Sequence, residues 1–429
     1  MRYEEIGKDL FIRNREKLKA RLKPNSAVIV CSNDIMPTNA DGTMPFRQNS
    51  NLLYLSGIDQ EESVLVIAPD FPDPKFREVL FVRETSELIA IWEGHKYTME
   101  EATETSGVET VIWNDKFEHT LNTILAETEN IYLYNNEHIR NATEVETRTD
   151  RFNKWCHAQY NNYNFERLAP IIYDLRNKKE PREIELLQTA CDITNKGFRR
   201  ILEFTKPGVW EYEIEAEYLH EFVRNKSRGF GYTPIIAGGN NANVLHYVEN
   251  NDQLKDGDLM LMDVGAEYAN YNADMTRTIP INGRYSKRQR EVYDAVLRVK
   301  KGATELLRPG SAIPEYHKAV GEMMTKELID LRLITTEDVK NENPDWPAYK
   351  KYFMHGTSHH LGLDVHDVSS IYCEFAPGMV FTVEPGIYIP EEGIGIRLED
   401  DVVITQDGHH NLMRDIPLEA EEIEDLMNQ

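Results

Sequence analysis

Two stretches of this 429-residue chain share one pattern: a glycine, an apolar run, then an acid six positions after the glycine. In "DGDLMLMD" Gly257 leads to Asp263, and in "PGMVFTVE" Gly378 leads to Glu384. Short apolar runs bounded by turn residues read as buried strands. Each is followed by a Gly-containing turn and a second strand with a further acid. Asp274 stands in "ADMTRTIPI" and Glu399 in "GIGIRLEDDVVIT". The chain is therefore expected to build two hairpins, each presenting a pair of carboxylates. Alternation sets Asp274, Thr276 and Thr278 on one strand face, and Arg397 with Glu399 on another. One acid at a strand end is commonplace and is normally solvated or paired with Lys or Arg. Two matching hairpins in one domain point instead to convergence.

Four converging carboxylates in a partly buried site cannot all stay ionised on their own. Either some hold protons or cations neutralise them, and two divalent ions would balance four acids. One imidazole would complete such a set. "HGTSHHLGLDVHD", His355 to Asp367, concentrates four histidines: His355, His359, His360 and His366. His355 and His359 are spaced as on one helical turn, but Gly356, Thr357 and Gly362 make a poor helix. The Glu that an HExxH helix needs is also missing. The cluster is thus one side of a larger site. A donor set of mostly carboxylate oxygen with one His suits Mn²⁺, with Co²⁺, Fe²⁺ or Zn²⁺ as alternatives. It is unlike a closed structural zinc site.

The length admits two or three domains with a well-buried core. A formal net charge of −25 argues against nucleic acid or an anionic membrane as the main partner. The opening "MRYEEIGKDLFIRNREKLKARL" lacks the apolar stretch of a secretory leader, and no segment nears the roughly 18 apolar residues of a membrane span. Four scattered cysteines without a CxxC pair suit a reducing compartment, so a cytoplasmic protein is expected. Up to about residue 170, apolar runs alternate with charged, helix-like stretches. "SAVIVC", "NLLYLSG", "SVLVIA", "EVLFV", "LIAIW", "ETVIW" and "NIYLY" read as strands of an α/β domain. Asn33 to Gly42 reads as a long loop. A boundary falls before "EPREIELLQTACDITNKGF", where Pro181 suits a first helical turn. Further helices are expected at Glu211–Arg224, Lys287–Leu307 and Ile313–Leu331, within an α+β second half.

The ordered set Asp263, Asp274, His359, Glu384 and Glu399, with "LMDVGAEYANYNADMTRT", "HGTSHHLGLDVHD", "FTVEPGIYI" and "GIGIRLEDD" around it, resembles the pita-bread-fold metallopeptidases. These include methionine aminopeptidase, prolidase and aminopeptidase P. "PFRQNSNLLYLSGI" is similar to the N-terminal domain of aminopeptidase P. The resemblance implies an N-terminal α/β domain over residues 1–173 and a pita-bread catalytic domain over 174–429. It implies a dinuclear-metal Xaa-Pro aminopeptidase, in which a metal-bridging hydroxide hydrolyses the bond before a proline in second position. Asp263 would bind one ion, Asp274 and Glu399 both, and His359 and Glu384 the other, with Glu384 also as proton shuttle. His246 and His366 match donors to the carbonyl oxygen, and His355 an imidazole lining the proline pocket. Tyr388 and Arg397 match residues that orient groups around the site. Prolidase, acting on Xaa-Pro dipeptides, is the alternative within the family, and a metal-free binding module on the same fold the alternative outside it. A homodimer or homotetramer with peptide substrates is implied, and Trp92 resembles a tryptophan that reaches a neighbouring subunit. His360 is read as packing.

Overall fold

A computed structural model describes residues 2–370 and 372–429. The chain forms two compact units, Glu5–Arg176 and Asn177–Gln429, with the residues up to Glu4 belonging to the second.

The first unit is built on strands β1 (Ser26–Cys31), β2 (Val64–Ile67), β3 (Glu78–Val82), β4 (Thr110–Trp113), β5 (Asn130–Leu133) and β6 (Asn164–Arg167). They form one sheet in the order β4-β3-β2-β1-β5-β6. β2 runs antiparallel to β1 and β3, and the remaining pairs are parallel. Ile29, Val66, Phe81 and Ile131 pack with Leu121 and Ile124 of the Phe117–Leu125 helix in its core. Two expected strands are helices instead. "NLLYLS" is the Ser50–Ser56 helix, started by the Asn49 side chain, which accepts from the Asn51 and Leu52 N–H groups, and stopped by left-handed Gly57. "LIAIW" lies in the Glu87–Glu93 helix, capped by Ser86, with Trp92 81% exposed. An apolar run by itself does not separate strand from short helix, and the capping residues decided both.

In the second unit the strands are β7 (Ile235–Gly238), β8 (Leu259–Val264), β9 (Glu267–Tyr268), β10 (Tyr271–Asn272) and β11 (Met275–Pro280). They continue with β12 (Val380–Val383), β13 (Gly386–Ile389), β14 (Ile394–Arg397), β15 (Asp400–Ile404) and β16 (His409–Asn411). Two three-stranded sheets, β11-β8-β7 and β12-β15-β16, accompany the ribbons β9-β10 and β13-β14. The Pro181–Phe204 helix packs on Glu211–Arg224, and Lys287–Leu306 on Ile313–Asp330. All four fall where apolar periodicity places them. No helix among the described residues is long and apolar enough to cross a membrane.

Both acidic hairpins exist, and each is interrupted beside its acids, with Asp274 in the first gap and Glu384 and Glu399 in the second. β8 pairs with β11 so that Asp263 faces Thr276, and the same register resumes beyond the break, with Glu267 facing Asn272. Gly265 therefore faces Asp274 within the break. A Cβ on Gly265 would lie 1.7 Å from the Ala273 carbonyl oxygen, so only glycine fits there. The turn itself contains no glycine: Ala269 and Asn270 take it, with φ of 53° and 68°. Two left-handed residues match the twist of a tight two-residue hairpin. In the second hairpin, Val383 faces Asp400 and Gly386 faces Arg397, which sets Glu384 opposite Glu399 in the gap. The segment after Gly362 alternates as a strand would, with Gly362, Asp364 and His366 set against Leu363 and Val365, yet it forms none. It is a series of bends, held where the Asn272 side chain donates to the Gly362 and Leu363 carbonyls.

Replacing Gly265 by Ala is expected to cost about 3 kcal/mol, because the obstruction is backbone and cannot move aside. Gly408→Ala, with nothing within 4 Å of the added carbon, should stay within about 0.5 kcal/mol of the parent. Denaturant midpoints for the two variants check the contrast.

Candidate active site

The interruptions bring the acids to one place. At the breaks the backbone pairs elsewhere, the Glu384 N–H with the Thr357 carbonyl at 2.8 Å and the Glu399 N–H with that of Thr276 at 3.0 Å, and the acids gather where these segments meet. One oxygen each of Asp274 and Glu399 and a ring nitrogen of His359 lie within 4.8 Å of one another. The His359 Nε2 is 3.4 Å from Asp274 Oδ2 and 3.7 Å from Glu384 Oε1. Its Nδ1 sits 2.9 Å from the His360 carbonyl, which can only accept, so Nδ1 carries the proton. Its Nε2 thus faces carboxylate oxygens, to which it can donate as an imidazolium or, once a cation lies between them, turn a lone pair on that cation, as imidazole ligands are normally oriented.

Neighbouring groups hold each acid in place. Asp263 Oδ2 accepts from Arg397 Nη2 at 2.5 Å, and its Oδ1 accepts from the Tyr232 hydroxyl at 2.6 Å. The same hydroxyl lies 2.6 Å from Asp274 Oδ1. One O–H cannot donate to both, so this tyrosine ties the two aspartates to one point. Thr276 donates to Glu399 Oε2 at 2.6 Å, and the Asp274 N–H donates to Asp401 Oδ2 at 3.0 Å. Beneath Glu399, buried Arg277 donates to the Thr276 and Glu399 carbonyls and to Asp400 Oδ1. Lys300 and Asn411 reach the other Asp400 oxygen. Burial opposes ionisation of Asp400, but Lys300 and Arg277 hold it below the usual carboxylate range.

The ligand-side acids behave oppositely. Burial, then the Asp263 charge, pushes Asp274 well above its ordinary range; burial, then Asp274 and Glu384, does the same to Glu399. Burial raises Glu384 to about 7. Two like charges 4 Å apart repel by about 4 kcal/mol at an effective dielectric near 20. A single guanidinium, that of Arg397, cannot offset four such acids. The donor set therefore fits divalent cations in its chemistry.

The remaining expected residues surround this centre. Arg397 Nη1 donates to the Tyr388 hydroxyl at 2.9 Å, and that hydroxyl lies 2.8 Å from His355 Nε2. His355 Nδ1 donates to the Gly356 carbonyl at 2.7 Å, so Nε2 accepts and the ring is neutral. Burial and then Arg397 hold His355 down at about 3. His366 is exposed, its ring centred 4.4 Å from that of His359 at 86°. His246 is exposed in the turn after the Gly239–Asn243 helix, next to Tyr247, which packs in one cluster with Tyr388. His360 turns away, buried 4.2 Å from the Phe381 ring. Sequence reasoning missed Tyr232, Asp401, Asp400 and Arg277. For Tyr232 the one available signal was a lone tyrosine just before "PIIAGG".

Two interrupted hairpins that carry four acids, joined by one histidine, define a metallohydrolase centre on a pita-bread fold. Residues 185–406 match the model of metallopeptidase family M24, and residues 11–134 that of the aminopeptidase P N-terminal domain. The chain belongs to family M24, in its aminopeptidase P branch, and is an enzyme of the metallopeptidase class. It is 36% identical to the Xaa-Pro aminopeptidases of Haemophilus influenzae and Escherichia coli, over 99% of this chain and 98% of each relative. The human Xaa-Pro aminopeptidase 3 is 33% identical over 94% of the chain and 81% of the relative. A zinc-substituted product complex of E. coli aminopeptidase P superposes with a TM-score of 0.88 at 34% identity, covering 99% of both chains. A substrate complex of a variant of the same enzyme gives 0.88 as well.

In the folded chain Glu384 keeps its proton to about pH 7, against 4.5 for an ordinary glutamate. Stability from this group is complete below pH 4.5 and is lost as pH rises through 7. Metal-free protein should therefore melt lower at pH 8 than at pH 5, by about 3 °C or more. Added Mn²⁺ should raise the melting point more at pH 8, where the ligands have shed their protons. Thermal scans of chelator-treated protein, with and without Mn²⁺, check both.

Proposed function

We propose that the chain is an Xaa-Pro aminopeptidase, releasing the N-terminal residue from peptides with proline in second position. The convergence of Asp274, His359 and Glu399, with Asp263 and Glu384 beside them, carries the hydrolytic part. Likeness to named Xaa-Pro aminopeptidases along the whole length supports the substrate class. An Xaa–Pro bond is a tertiary amide without an N–H, and the ring fixes φ, so peptidases that need either feature stall there.

In this reading Asp263, Asp274, His359, Glu384 and Glu399 hold two divalent ions, Mn²⁺ by preference for a set with one imidazole. A bound pair of ions polarises the scissile carbonyl and lowers the pKa of water, as in two-metal aminopeptidases generally. The protein supplies the rest. Glu384 takes a proton from the nucleophilic water and delivers it to the proline nitrogen, which has none of its own. His246 and His366 donate to the carbonyl oxygen as it gains negative charge. His355, kept neutral and fixed by the Arg397–Tyr388 chain, lines the ring pocket without introducing a charge. The four unpaired cysteines favour a cytoplasmic setting. A homodimer or homotetramer is the assembly we favour, by likeness to the family.

A tripeptide Xaa-Pro-Yaa should be cleaved after Xaa, with turnover at least comparable to that of the Xaa-Pro dipeptide. Turnover confined to the dipeptide would mark a prolidase instead. Asp274→Ala or Glu399→Ala should abolish activity and reduce bound metal, read by elemental analysis. Tyr388→Phe breaks the chain to His355 and should lower kcat/KM about tenfold with metal content unchanged.

A further inference from the structure

His246 poses a problem of positioning. Among the described residues no hydrogen bond holds its ring, and the side chain is exposed. Its place is therefore set by the backbone of the Gly238–Asp252 connection that carries it. One buried carboxylate organises that connection. Glu211, the first residue of the Glu211–Arg224 helix, is 0% exposed. Its Oε1 accepts from the Gly238 N–H at 2.7 Å and from Asn241 Nδ2 at 3.2 Å. Its Oε2 accepts from the Tyr247 hydroxyl at 2.8 Å and from the Asp252 N–H at 2.9 Å. The loop is thus gripped at both ends and in the middle, and the grip in the middle is on the residue next to His246.

Two further contacts carry this grip to the active site. Tyr247 and Ala242 pack in one cluster with Tyr388, and Leu245 packs against it. Ala242 also presses so closely on Gly395 of β14 that a Cβ there would lie 2.5 Å from its carbonyl oxygen. Leu245 and Tyr247, on either side of His246, are both tied down, so the backbone that carries the imidazole is held from both sides.

Four donors fill the acceptor capacity of a carboxylate, two per oxygen. Glu211 has no Lys or Arg partner among the ion pairs of the described residues. Burying such a charge is costly without donors arranged for it, and the helix N-terminus supplies a favourable dipole. We infer that Glu211 is the positioning residue of the reaction: through Tyr247 and the loop backbone, it fixes the His246 imidazole at the scissile carbonyl.

The inference rests on His246 acting as a carbonyl donor, and a double-mutant cycle separates the two ideas. The manganese-loaded enzyme is assayed on an Xaa-Pro-Yaa peptide. Glu211→Gln keeps the volume but turns one pair of acceptors into a donor, and should lower kcat about 10- to 100-fold with unchanged metal content. Tyr247→Phe removes a single bond, preserves the fold if Glu211→Gln does not, and should lower kcat severalfold. In a His246→Ala background either change should alter kcat by less than about twofold, because the group it positions is gone. Effects that multiply with His246→Ala overturn the inference while leaving His246 a donor. A His246→Ala enzyme with parental kcat removes the donor role itself, and the inference with it.

Discussion

Crowding of buried negative charge governs the catalytic unit. Asp263, Asp274, Glu384 and Glu399 are brought to one point where each makes its neighbours harder to ionise. A fold rarely tolerates this without compensation, because uncompensated burial of charge costs several kcal/mol per ion. Here the compensation is layered. Arg397 and Tyr232 hold Asp263, Thr276 holds Glu399, and the Asp401 side chain holds the Asp274 backbone. The remaining excess of negative charge is what makes the centre a cation site.

The hairpin breaks are the geometric counterpart of that electrostatic requirement. A regular antiparallel ladder sends successive side chains to opposite faces and commits every backbone group. Both hairpins keep one register on either side of the gap, so the break redirects a few side chains without shifting the strands. Gly265 permits the first gap because the Ala273 carbonyl occupies the space of a Cβ. The buried Arg277–Asp400–Lys300 set braces the second from behind, where opposite charges are matched and Asp400 stays ionised. Rigid ligands and a charge-matched support coexist within adjacent residues, Glu399 and Asp400.

Local pattern made much of this readable. Apolar runs ending in acids marked β8 and β12, and periodicity with Pro181 marked the long helices. Local pattern failed where the same composition serves two structures. "NLLYLS" and "LIAIW" are apolar enough for strands, yet Asn49 and Ser86 cap them as helices, and Trp92 is exposed. The bends after Gly362 escaped because their geometry depends on Asn272, some 90 positions earlier.

By itself the sequence determined the candidates for the chemistry: four acids at strand ends, one histidine-rich segment, and the order in which they occur. Those features are local, since an apolar run and its terminal acid lie within a few positions of each other. Only the tertiary structure decided which imidazole meets the acids, by fixing the His359 proton on Nδ1 through the His360 carbonyl. It alone placed Tyr232 between two aspartates, Asp401 behind Asp274, and Glu211 beneath the His246 loop. No local pattern marks any of the three as serving the site. The role of each is a matter of which distant donors surround it, and that is set by how the elements pack.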